Sequence, residues 1–179
     1  MIVLGLDPGT RHFGWGVVRK IGTRLTHVAH GVFDVEKAGD LGDRLVAIEK
    51  GILGVVEEHG PDQASIESLF FAKDAQAAAK LGHARGVALL VCARAGLASF
   101  EYAPAQVKRT IAGGGRADKA QVAAMIRVVL GLTTVPRPDA ADALAIAVTH
   151  LQGQRFAPPP SPPGRAAPAR VPVRLPAGR

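Results

Sequence analysis

The chain has 179 residues, which fits one domain with an appendage. Its apolar content of 47 % is enough to cover a mixed sheet with helices, and its formal charge of +7 points to a polyanionic partner. A single cysteine, Cys92, excludes an intramolecular disulfide and fits a reducing compartment, while the longest apolar stretch, residues 87–93, is too short to span a bilayer.

The charge is unevenly spread. Five of the 22 basic residues lie beyond Gly153, where there are no acids, so residues 1–153 hold 17 basic and 15 acidic side chains. A nucleic-acid surface on that part must therefore be a local patch. No basic-then-apolar secretion signal opens the chain, and the expectation is a soluble, cytoplasmic protein without a membrane partner.

Residues 2–6 form an apolar run that reads as a buried strand, followed by Asp7 and a Pro8-Gly9 turn. Residues 14–18 and 23–35 read as two more strands, and three in quick succession suggest an antiparallel meander. Leu41, Leu45, Ile48, Ile52, Val55 and Val56 recur at helical spacing over 41–59, and Gly60-Pro61 stops that helix. A short strand over 63–67, a long Ala-rich helix over 73–95 and a fifth strand over 98–102 follow. Helices are expected near 104–111, 118–130 and 138–151, separated by Gly113-Gly114-Gly115 and the Pro136–Pro138 corner. Strands gathered early and alternating with helices later indicate a mixed α/β sheet with helices on its faces. Residues 1–153 are expected to form this domain. The tail, 154–179, carries eight prolines and five arginines and cannot bury enough apolar surface to offset its ordering entropy, so it is expected to be disordered.

Most of the acids sit where a solvated face would put them, but four do not. Asp7 ends the first strand and Glu67 ends the strand over 63–67. Asp139 and Asp142 lie three apart in PRPDAADALAIAVTHL and project from one side of a helix made otherwise of Ala, Leu, Ile and Val. A lone Asp at a strand end is ordinarily a turn cap, and Asp-x-x-Asp at a helix start is ordinarily a capping pair. Together, four such acids call for a compensating positive charge. A helix N-terminus supplies only about 0.3–1 kcal/mol, and a divalent cation supplies far more. Oxygen-only donors select hard cations, Mg²⁺ or Mn²⁺. Two strand-end carboxylates facing a helical pair suit two ions roughly 3.5–4 Å apart, the arrangement used for in-line phosphodiester hydrolysis.

Lys108, Arg109, Arg116, Lys119 and Arg127 form a basic strip opposed by one acid, Asp118, and interrupted by three glycines that allow close approach to phosphates. The plain reading of this strip is an ordinary basic helix face. Phe70 and Phe71 follow the Glu67 strand in a chain with eight aromatic residues; either is a core residue or a platform for an unpaired base. Ala78, Gly82 and Gly86 make a smooth stripe on the long helix that faces either the sheet or a twin helix. His12, His83 and His150 read as surface or satisfied core residues.

LGLDPGTRHFGWG, IESLFFAKDAQAAAKLGHARG, APAQVKRTIAGGGRADKAQV and PDAADALAIAVTH resemble, in order, the successive blocks of the RuvC family of Holliday-junction resolvases, through about residue 151. The resemblance implies a ribonuclease-H-like fold, a mixed five-stranded sheet flanked by helices. It implies a homodimer with one acidic metal site per subunit, and a branch-migration helicase as a partner. It aligns Asp7, Glu67, Asp139 and Asp142 with the family's metal-binding acids, and Lys108 and Lys119 with lysines used near the scissile phosphate. It favours Phe70 as the stacking residue and implies paired symmetric nicks in a four-way DNA junction, in recombination and repair. Two alternatives remain at this point: an actin-like phosphotransferase, which needs two lobes, and a relative that binds junctions or processes RNA without resolving junctions.

Overall fold

The computed structural model describes residues 1–68 and 75–153, apart from the side chains of 75–77. The expected tail (154–179), the start of the long helix at Lys73, and Phe70 and Phe71 lie outside the described residues. Five strands, β1 (Ile2–Asp7), β2 (His12–Ile21), β3 (Arg24–Asp34), β4 (Gln63–Glu67) and β5 (Ala98–Tyr102), form one sheet in the order β3-β2-β1-β4-β5. The first three are an antiparallel meander, and β4 and β5 join β1 in parallel. β2 has ten residues rather than the expected five, because it pairs along its whole length with β3 and over half of it with β1.

Helices α1 (Leu41–His59) and α2 (Ala75–Arg94) cover one face, and α3 (Pro104–Ala112), α4 (Lys119–Leu130) and α5 (Pro138–Gly153) cover the other. The strands alternate as half-buried strands must. Leu4, Leu6, Phe13, Val17, Ala64 and Ile66 pack under α1 and α2 with Ile48, Ile52, Ala88, Val91 and the buried Cys92. Val3 and Val18 face the other way, among Val107, Val122, Ile126, Leu144 and Val148.

The helix ends are written locally. Asp40 and Asp43 close a capping box on α1, and Asp118 and Gln121 do the same for α4, so three acids of the first helix and the basic strip are structural. Gly60, Gly113 and Gly131 take the left-handed conformation that ends α1, α3 and α4. On α2, Ala84, Ala88, Val91 and Cys92 face the sheet. A Cβ placed on Gly82 or Gly86 would meet nothing within 4 Å, so those two glycines look away from the chain's own core.

Helix α5 is buried on nearly every side from Ala140 to Leu151. It lies unusually close to the sheet because glycines take the strand positions beneath it. A Cβ on Gly5 would come 2.0 Å from the carbonyl oxygen of Ala143, and one on Gly14 would come 2.0 Å from that of Asp139. Both obstacles are backbone, so neither could move aside without shifting the helix. Gly5 pairs with Gly16 and Gly14 with Asp7, which sets the glycine track beside the first acid.

Candidate active site

Alternation carries Asp7 and Glu67 to one place. Val3, Gly5 and Asp7 share the face under α5, and so do Gln63, Ser65 and Glu67. Leu6 pairs with Ile66 in parallel register, so the next residues, Asp7 and Glu67, end adjacent strands side by side. The carboxyl ends of parallel strands beside a change of strand direction are the usual location of a site in an open α/β sheet. Asp139 and Asp142 arrive from above on the first turns of α5, lowered onto the sheet by Gly14 and Gly5.

The charges of the four acids act on one another. Asp7 has its pKa pushed up to about 8, first by burial and then by Glu67, Asp142 and Asp139, with Lys119 opposing. Burial and then Asp142 raise that of Glu67 as well, while Lys119 and Lys108 pull it down. Lys119, the first residue of α4, donates to Asp142 Oδ2 at 2.9 Å. That hydrogen bond, helped by the charges of Asp142, Asp7 and Glu67, raises the Lys119 pKa. A cleft of about 160 Å³ opens on this group, lined by Glu67, Lys108, Lys119 and Asp142 with Pro104, Val107, Val122 and Ile146. Its apolar walls strengthen the electrostatic interactions within it.

Lys108 and Lys119 thus stand at the acids. Arg109 and Arg116 are exposed, with Arg116 lining a separate hollow beside Gly114, Gln121 and Met125, and neither contributes to the shifts of Asp7 or Glu67. Arg127 is exposed in the last turn of α4. The glycines at 5 and 14 escaped the sequence reading, although isolated glycines inside a strand are a known sign of close backbone approach.

The donor set is oxygen only, which fits a hard divalent cation. Among the described residues no group of three or more His, Cys, Asp or Glu side chains stands at metal-holding spacing, and Lys119 is the cation bonded directly to the cluster. The fit therefore rests on donor chemistry and on the mutual repulsion that raises Asp7.

A mixed five-stranded sheet with acids at its parallel strand ends and on the helix crossing above them defines the class of ribonuclease-H-like nucleases. Within that class, the chain belongs to the RuvC family: the model described as "Crossover junction endodeoxyribonuclease RuvC" matches residues 3–150. The crossover junction endodeoxyribonuclease RuvC of Sorangium cellulosum is 60 % identical over 157 residues, covering 88 % of each chain. The Thermus thermophilus RuvC in complex with a Holliday junction substrate superposes with a TM-score of 0.81 at 38 % identity, covering 87 % of this chain and 95 % of that one. The yeast mitochondrial Holliday junction resolvase Ydc2 shares the fold, with a TM-score of 0.62 at 12 % identity over 86 % of this chain and 78 % of that one. The two-lobed phosphotransferase alternative finds only one sheet among the described residues.

Proposed function

We propose that the chain is a homodimeric, Mg²⁺-dependent endonuclease that resolves four-way DNA junctions by paired symmetric nicks, acting in recombination and repair in the cytoplasm. The observation that carries this reading is the electrostatic union of Asp7, Glu67, Asp139 and Asp142 beside Lys119, in a chain of the RuvC family. The four carboxylates would hold two Mg²⁺ ions, with Mn²⁺ as a substitute, and the ions supply the charge that activates water and stabilises the phosphorane-like transition state.

The chain's own residues do the rest. Asp7, half-protonated near pH 8 without a cation, is the acid whose ionisation gains most from a bound ion. Lys119 guards Asp142 until the strand arrives, and Lys108 stands on the Glu67 side of the cleft. Both lysines can steady negative charge developing on the scissile phosphate. Arg109 and Arg116 extend the cationic surface along the strand, and Phe70 would stack on a base at the opened junction centre. The outward Gly82–Gly86 face of α2 gives a second copy a smooth surface. Among the described residues no helix is long and apolar enough to cross a membrane. A branch-migration helicase remains the partner implied by family resemblance.

Cleavage of a labelled four-way junction in Mg²⁺ tests the reading. Asp7→Asn should lose more than about a thousandfold in rate, on the scale of removing a central catalytic group, while still shifting the junction in a gel. Full cleavage by Asp7→Asn overturns it.

A further inference from the structure

Helix α5 begins at Pro138. Its first turn is opened by the carbonyl of Arg137, which accepts from the Ala141 amide at 2.9 Å. The Arg137 side chain reaches instead across the sheet. Its Nη1 and Nη2 donate to Asp34 Oδ2 and Oδ1 at 2.6 and 2.8 Å, a two-pronged contact between residues 103 apart in sequence. Asp34 is the last residue of β3, and its register partner His12 puts Nδ1 2.8 Å from the same Oδ1. Asp34, His12, Gly14 and Asp7 therefore step across one end of the sheet, and α5 begins directly above them.

Two forces meet at that helix end. When Asp7 is ionised it repels the carboxylates of Asp139 and Asp142, which tends to lift the first turns of α5. The Asp34–Arg137 contact pulls the same turn down from the opposite side, through a planar fork that fixes orientation as well as distance. We propose that Asp34, acting through Arg137, is a positioning residue for the acidic site: it anchors the start of α5 and so sets where Asp139 and Asp142 present their oxygens to a cation. This rests on reading the four acids as cation ligands. Both partners are about half exposed, at 53 % each, so the contact adds little to global stability, and its purpose is geometric.

The full chain is titrated with Mn²⁺ alone by calorimetry, as parent, Asp34→Asn, Arg137→Gln, the double variant, Asp34→Glu and Asp139→Asn. Junction cleavage is followed against Mg²⁺ concentration in parallel. Each single change at 34 or 137 should raise the half-saturating metal concentration about tenfold, the lower end for residues that orient metal ligands. The double variant should be no worse than either single, Asp34→Glu should recover most of the loss, and the melting temperature should stay near the parent's. Additive losses overturn the proposal, since Arg137 would then act alone, for instance on DNA. So does an unchanged titration in Asp34→Asn while Asp139→Asn loses metal; that result removes the anchor and leaves the acidic site standing. If Asp139→Asn itself binds Mn²⁺ like the parent, the acid-site reading fails and the anchor with it.

Discussion

The two ends of α5 bury polar groups against the same sheet and treat them in opposite ways. At its C-terminal end His150 is 1 % exposed, yet both ring nitrogens are partnered: Tyr102 Oη lies 2.8 Å from Nδ1 and Gln63 Oε1 2.7 Å from Nε2. A neutral ring fits both, donating from Nε2 to Gln63 and accepting from Tyr102, with the Phe100 ring packed 4.6 Å away. Lys20 closes that end by donating to the Leu151 carbonyl. At the N-terminal end four carboxylates oppose one another, with Lys119 in direct contact. A buried polar group with its partners in place serves the fold. One whose ionisation its acidic neighbours oppose, as they oppose that of Asp7, carries the perturbed pKa that clusters at functional sites.

The strongest way to break this contrast is to lift the helix. Gly14→Ala sets a methyl against the Asp139 carbonyl, and it should cost about 3 kcal/mol, at the upper end of overpacking, with a matching loss of cleavage. Urea unfolding and junction cleavage on the same preparation check it. Lys119→Ala acts on the charged end alone: cleavage should fall about a hundredfold, as when an oxyanion donor is removed, with the melting temperature unchanged.

At the satisfied end, burial and the charge of Lys20 push the His150 pKa down to about 4 from its ordinary 6.5. A folded pKa below the unfolded one means that the unfolded chain takes up the proton first. Stability is therefore full above about pH 6.5 and falls as pH drops towards 4, by about 2 kcal/mol between pH 7 and 5. His27 and His30, also lowered by burial, add to the fall, so the test is the difference between parent and His150→Gln across that range. The smallest effect belongs to neither end. A Cβ on Gly54 of α1 meets nothing within 4 Å, and Gly54→Ala should gain about 0.5–1 kcal/mol in thermal unfolding.

Part of this contrast is legible in the sequence. Asp7, Glu67, Asp139 and Asp142 were visible because carboxylates in apolar segments need a reason, and strand alternation and helical spacing are local rules. The element order and mixed sheet followed from the same periodicities. The full length of β2 was hidden, because its outer residues Arg19 to Ile21 are polar or exposed and are held by pairing with β3. The contacts of Asp34 with Arg137 and of His150 with Gln63 and Tyr102 join residues 103, 87 and 48 apart, and no local pattern announces such a pair. The glycine track under α5 carries a weak local sign, but its meaning depends on which helix lies above it.

Crystals of the full chain grown with Mn²⁺ and measured at the manganese absorption edge decide whether the four acids hold a divalent cation. Anomalous peaks enclosed by the carboxylates of residues 7, 67, 139 and 142 are expected, with Lys119 displaced from Asp142. Manganese bound elsewhere, with those four side chains unligated at a saturating concentration, would contradict it.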